Sequence, residues 1–199
     1  YIFYRYHALC VWWKLAKQEH ETDIPFENER FIEKYKETFV GKIHEIEKKL
    51  KIKDAITYVG KDCPRKNIWR NKNIDDYKGG RQSCNHMKLF FDIAYNNDNI
   101  NGTESETETE TETNLFTQAG CKRVIEENNV EADDIIALTS KHILLKYPDA
   151  KIWIITSDMD YLQLACENIT LMNLKFKKLT DSKACFNDAN KDLFCKIIT

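Results

Sequence analysis

The sequence predicts an α/β fold, with a mainly parallel central sheet and helices on both faces. Three observations carry this. Short β-branched runs alternate with longer helical repeats through most of the chain. One run, Ile152 to Ile155, is apolar at every position, as a strand covered on both sides is expected to be. Acidic residues stand just past the ends of the predicted strands, where open parallel sheets present their ligand sites.

Taken in order, residues 1–15 read as a strand-to-helix entry, with Tyr4, Tyr6, Trp12 and Trp13 as core or groove candidates. From Glu27 to Leu50 the apolar residues Phe31, Ile32, Tyr35, Phe39, Ile43, Ile46 and Leu50 recur at helical spacing, with Lys and Glu between them. That pattern is an amphipathic helix. Asp54 then opens a β-branched run from Ala55 to Val59, which Gly60 should stop. A polar, basic stretch from Lys61 to Arg81 leads to a helix from about Ser83 to Tyr95.

Between Asn96 and Asn114 lies a Thr/Glu alternation with almost no apolar content. Such a segment cannot offset its ordering entropy and reads as a disordered, solvated insertion. Beyond it come a strand at Lys122 to Ile125, a helix from Glu131 to Tyr147 and the apolar strand Ile152 to Ile155. A short helix from Asp160, a strand at Ile169 to Met172 and a last helix near Asp188 complete the pattern.

A chain of 199 residues fits one medium domain with its own core. Its 42% hydrophobic and 31% charged residues are those of a globular protein, and no apolar run is long enough for a membrane helix. The aromatic, basic start does not read as a signal peptide. Seven cysteines at wide spacings, with no CxxC pair, argue against a zinc site or disulfide framework and for a reducing intracellular compartment. The net charge of −2 includes five glutamates in the tract Thr103 to Thr113; set aside, they leave the remainder at +3. Charge distribution therefore says more than net charge about an anionic partner.

The carboxylates carry the chemistry. Asp62 lies just past the strand ending at Val59, Asp158 and Asp160 just past the strand ending at Ile155, and Glu131, Asp133 and Asp134 open the helix between. If the six converge, their mutual repulsion calls for cations. A cage of Asp and Glu without His or Cys suits Mg²⁺, with Mn²⁺ able to substitute. Two such ions about 4 Å apart grip the attacking and leaving oxygens of a phosphodiester. Each cluster also has a purely structural reading. Acids in a first helical turn favour the macrodipole, and Asp158 or Ser157 can simply cap the next helix.

The segments Val130-Glu131-Ala132-Asp133-Asp134-Ile135-Ile136-Ala137 and Ile155-Thr156-Ser157-Asp158-Met159-Asp160-Tyr161-Leu162-Gln163-Leu164 resemble the 5′-3′ exonuclease and flap endonuclease family. Tyr1 to Leu9 is similar to the segment after that family's first strand. Asp62, Arg70, Tyr77, Lys78 and Arg81 look like its second acidic motif running into a helical arch. The resemblance implies a PIN-like fold over the whole of residues 1–199 apart from the insertion, with residues 63–95 as arch and substrate-contact region. It implies metal-ligating roles for Asp62, Glu131, Asp133, Asp134, Asp158 and Asp160. It also implies phosphate contacts for Lys78, Arg81, Arg70 and Arg5, and base stacking for Tyr77.

The implied activity is metal-dependent hydrolysis near 5′ ends of DNA, at flaps, nicks or single-stranded ends, in replication and repair. An RNA–DNA hybrid is an alternative substrate, and nothing in the chain identifies a sliding-clamp partner. Two departures stand against the match. The family's first metal-binding Asp, expected before Tyr1, and its later helix-hairpin-helix region are not in this sequence. Both ends are therefore expected to be missing from the sequence rather than from the protein, and the piece alone should be inactive or impaired. A PIN-type ribonuclease, or an inactive nucleic-acid-binding homologue, are the competing readings.

Overall fold

A computed structural model of the chain describes residues 1–52, 54–74, 77, 85–95 and 114–181. It divides into two compact units, Tyr1–Val59 with Arg70–Ile125 and Gly60–Trp69 with Glu126–Thr199.

The first unit is helical with an aromatic core. Its first 16 residues contain no strand: α1 runs Ile2–Ala16. This differs from the expected strand-to-helix entry because α1 is apolar nearly all round, which hides its period. Ile2, Tyr6, Leu9 and Trp13 are its buried residues, while Tyr4 and Trp12 are half-buried. In α2 (Glu29–Leu50) the buried residues Phe31, Tyr35, Phe39 and Ile43 fall four apart, on one helical stripe. Asn28 caps it, accepting from the Phe31 amide at 3.2 Å. The helix ends where Lys51 enters the left-handed region, with φ 51°.

Helices α3 (Arg70–Asn73), α4 (Asn85–Tyr95) and α5 (Leu115–Gln118) follow. The expected start of α4 at Ser83 lies outside the described residues. Phe90 of α4 sits among rings from both long helices, 4.7 Å from Tyr6 and 4.8 Å from Tyr35 between centroids. Such pairs add about 0.5–1.5 kcal/mol each beyond burial. The Thr/Glu insertion falls between α4 and α5, and residues 96–113 are outside the described set. Its flanks rejoin one core: the rings of Tyr95 and Phe116 lie 5.4 Å apart. Asn114, expected to belong to the insertion, instead caps α5 through a 3.0 Å bond from the Thr117 amide.

Strand β1 is Tyr58–Lys61 rather than Ala55–Val59, and it pairs with β2, Arg123–Glu126. Both strands begin in the first unit and end in the second. Gly60 lies inside β1 instead of stopping it. A Cβ there would stand 2.9 Å from the Ala132 carbonyl oxygen and 3.1 Å from Ile136 Cγ1. The glycine is there for close approach, not as a breaker.

In the second unit α6 (Ala132–Lys146) leads to β3 (Ile152–Ile155), which pairs in parallel with β4 (Ile169–Met172). The register sets Ile152 beside Ile169 and Ile154 beside Leu171. Ile154, Leu162, Ile169, Leu171 and Leu179 form the core, with Ile136, Leu144 and Tyr161 packed on it. Trp153 is 37% exposed, so β3 is not covered on both faces as its apolar run suggests. The helix expected from Asp160 is a 3₁₀ turn, Met159–Leu164. The helix expected near Asp188 lies outside the described residues. Among the described residues the four strands form two separate two-stranded ladders, and no helix is long and apolar enough to cross a membrane. Cys10, Cys63, Cys121 and Cys166 are free thiols; Cys84, Cys185 and Cys195 are outside the described set.

Candidate metal centre

The site is built within the second unit, at the N-terminus of α6. The chain leaves β1 at Lys61, and the next residues are laced to the loop that enters the helix. Asp62 Oδ1 accepts from the Ala132 amide at 2.7 Å. The Cys63 amide donates to the Val130 carbonyl at 3.2 Å, and the Trp69 amide donates to the Asn129 carbonyl at 2.8 Å. Asn129 makes that loop turn with φ 69°, a conformation Asn tolerates better than most residues. Cys63 and Ile68 are buried beneath the lacing. Burial pushes the Cys63 thiol up, and the charges of Asp62, Glu126 and Glu131 add to this; a hydrogen bond from the Asn129 backbone opposes it.

Glu131 and Asp134 form a capping box, in which the Glu131 amide donates to Asp134 Oδ2 at 3.3 Å. Asp133 Oδ1 accepts from the Asp134 amide at 2.8 Å. The structural reading of these acids is therefore correct as far as it goes, but it does not exhaust them. Carboxylate oxygens of Glu131, Asp133 and Asp134 all lie within 4.8 Å of one another. Glu131 is only 4% exposed. Helix N-terminal amides offset part of the repulsion, and a hard cation fits the rest, since every donor is a carboxylate oxygen.

Asp158 also caps, accepting from the Asp160 amide at 3.0 Å. Its own amide donates to Thr156 Oγ1 at 3.1 Å. Tyr161 is half-buried on the same 3₁₀ turn. Its hydroxyl is held well above the ordinary phenol range, first by burial and then by the negative charges of Asp133, Asp158, Asp62 and Asp134.

A model of the 5′-3′ exonuclease N-terminal, resolvase-like domain matches residues 3–190. The chain belongs to this family. Membership makes the fold the resolvase-like α/β class that the alternating strands and helices predict. No curated protein sequence matches the chain. Among solved structures, the chain is similar to the bacteriophage T5 5′-exonuclease with divalent metal ions (zinc) bound, at 18% identity and a TM-score of 0.47, covering 72% of this chain and 49% of that one. It is similar to the same phage's protein co-crystallized with metal ions, at 20% identity and a TM-score of 0.49, covering 75% and 52%. A third is the T5 flap endonuclease in a pseudo-enzyme–product complex with DNA and metal ions, at 16% identity and a TM-score of 0.45, covering 72% and 48%. The chain spans about half the length of these solved structures.

Of the residues singled out in this family member's sequence, Glu131, Asp133 and Asp134 cluster, Asp62 is tied to the same helix start through the Ala132 amide, and Asp158 caps the turn after β3. Asp160 is exposed, and what ties it to Asp158 is its backbone amide. Arg5 and Arg70 belong to the first unit and are half-buried; Arg5 Nε has no hydrogen-bond partner among the described residues. Tyr77 is half-buried in a turn, and Lys78 and Arg81 lie outside the described residues. Two functional neighbours were not singled out from sequence. Trp69 donates its indole N–H to Asp134 Oδ2 at 3.4 Å, and the Tyr161 hydroxyl is held above its ordinary range by burial and, secondarily, by nearby acids. The Trp69–Arg70 pair shortly after Asp62, and Tyr161 directly after Asp160, were the only signals available.

Proposed function

We propose that this chain is the catalytic core of a metal-dependent 5′-nuclease that hydrolyses phosphodiester bonds near 5′ ends of DNA. Flap and primer removal in replication or repair is the corresponding role. The observation that carries the reading is the cluster of Glu131, Asp133 and Asp134, whose carboxylate oxygens lie within 4.8 Å of one another, with Asp62 bound to the Ala132 amide beside it. Membership of the 5′-3′ exonuclease family supports it.

Asp62, Glu131, Asp133, Asp134 and Asp158 hold the cations, with Asp160 completing the set. Mg²⁺, as two ions, is the reading that the all-oxygen donor set favours. The bound cations supply Lewis-acid polarisation of the phosphate and of the attacking water. The chain's own residues fix where this happens: the lacing of residues 62–69 to 129–132 sets Asp62 against α6, and the turn after β3 presents Asp158. No side-chain nucleophile is needed. Lys78, Arg81, Arg70 and Arg5 neutralise the substrate's phosphates, and Tyr77 stacks on a base, for roughly 1–3 kcal/mol.

The test is Asp158→Ala in the full-length protein with a 5′-flap DNA. Cleavage should fall by more than the roughly 10–100-fold typical of losing an outer-shell partner, while DNA binding persists. Wild-type turnover by Asp158→Ala would end the proposal. Running DNA, RNA and hybrid substrates in one Mg²⁺ buffer identifies the substrate class.

A further inference from the structure

We infer that Trp69 is a positioning residue of the metal centre, acting through Asp134. The inference rests on the function proposed above and goes further by assigning a role to a residue outside the acidic set. Trp69 ends the laced segment that begins at Asp62, and its amide is tied to the Asn129 carbonyl at 2.8 Å. That bond fixes the backbone from which the indole reaches the first turn of α6. The indole Nε1–H donates to Asp134 Oδ2 at 3.4 Å, across 65 positions of sequence. The same oxygen accepts from the Glu131 amide at 3.3 Å.

Two donors on one oxygen, approaching from different segments, restrain the Asp134 carboxylate. One of them is backbone and survives any side-chain change; the other is the Trp69 indole. Phe or Tyr at this position fills similar space but cannot present an N–H donor there. The Asp134 carboxylate is one of the three that cluster, with those of Glu131 and Asp133. A carboxylate free to rotate in that cluster meets a cation with the wrong edge, and it must be ordered on every binding event. Outer-shell donors to metal-ligating carboxylates act in this way. The indole is also 41% exposed. The bond therefore fixes the carboxylate without sealing it from the solvent through which a cation enters.

The experiment uses the full chain. Mn²⁺ is titrated calorimetrically into wild type and Trp69→Phe, and the indole N–H resonances of wild type and Asp134→Asn are compared by NMR. Trp69→Phe should retain the wild-type far-UV spectrum and bind Mn²⁺ roughly 10-fold more weakly. In wild type, one indole resonance should shift on adding Mg²⁺, be absent from Trp69→Phe and be displaced in Asp134→Asn. Wild-type Mn²⁺ affinity in folded Trp69→Phe overturns the inference. If Trp69→Phe does not fold, the wild-type resonances decide: no indole signal responding to both Mg²⁺ and Asp134→Asn overturns it too. Absence of Mn²⁺ binding to wild type itself is a different result. It removes the proposed function, and this inference with it.

Discussion

At the scale of single residues, the acids serve two purposes, and substitutions can separate them. Asp62 Oδ1 caps the α6 entry through the Ala132 amide at 2.7 Å, and as a carboxylate it is also a ligand candidate. Asp62→Asn keeps an oxygen acceptor and removes the charge, whereas Asp62→Ala removes both. The Ala variant should lose about 1 kcal/mol of unfolding free energy in urea and the Asn variant much less. Both should lose Mn²⁺ affinity in calorimetry. An Asn variant binding Mn²⁺ as tightly as wild type would leave Asp62 a cap and nothing more. The acids were legible in the sequence because their type and their place at strand ends are local facts. Trp69 and Tyr161 were not: what makes them matter is a contact with Asp134 across 65 positions, and a field from four acids on three elements.

At the scale of elements, legibility followed how far each element depends on its own periodicity. Helix α2 announces itself because Phe31, Tyr35, Phe39 and Ile43 make one buried stripe against polar residues. Helix α1 does not, because its outer positions Phe3, Val11 and Leu15 are apolar yet exposed. Helix α5 is a single turn held by Asn114, too short for any period to show. Strand β1 was displaced because Gly60 reads locally as a stop, while its reason lies on α6, some 70 residues on. That reason can be tested. Gly60→Ala places a methyl 2.9 Å from the Ala132 carbonyl oxygen, which is backbone and cannot swing aside. Either β1 or the first turn of α6 must shift. The expected cost is about 1–3 kcal/mol in chemical denaturation, with weaker Mn²⁺ binding because Glu131, Asp133 and Asp134 move with that turn. Unchanged stability would mean that the approach is looser than the distances indicate.

At the scale of the whole molecule, the described residues form two cores, and sequence could not assign residues to them. Residues 60–69 join a unit otherwise formed from residue 126 onward; the bonds of Asp62, Cys63 and Trp69 to Ala132, Val130 and Asn129 reveal this. Two buried thiols report on the units separately: Cys121 in the aromatic core and Cys63 under the lacing. Burial, and secondarily the charge of Glu47, pushes the Cys121 thiol from the ordinary 9.0 up to about 11. Its neutral form thus contributes stability in full below pH 9, and that contribution fades as pH rises through about 11. At about pH 8, where alkylation by iodoacetamide is run, the buried thiols of Cys63 and Cys121 therefore stay protonated in the folded units. Read peptide by peptide, exposed Cys166 should react before Cys63 and Cys121, which react only as their units open. All the candidate ligands belong to the second unit. Mn²⁺ should therefore slow labelling of Cys63, by about 100-fold at a hundred times its Kd, and leave Cys121 little changed. Equal slowing of both would show that the two cores open together, and that the metal centre stabilises the chain as one cooperative body.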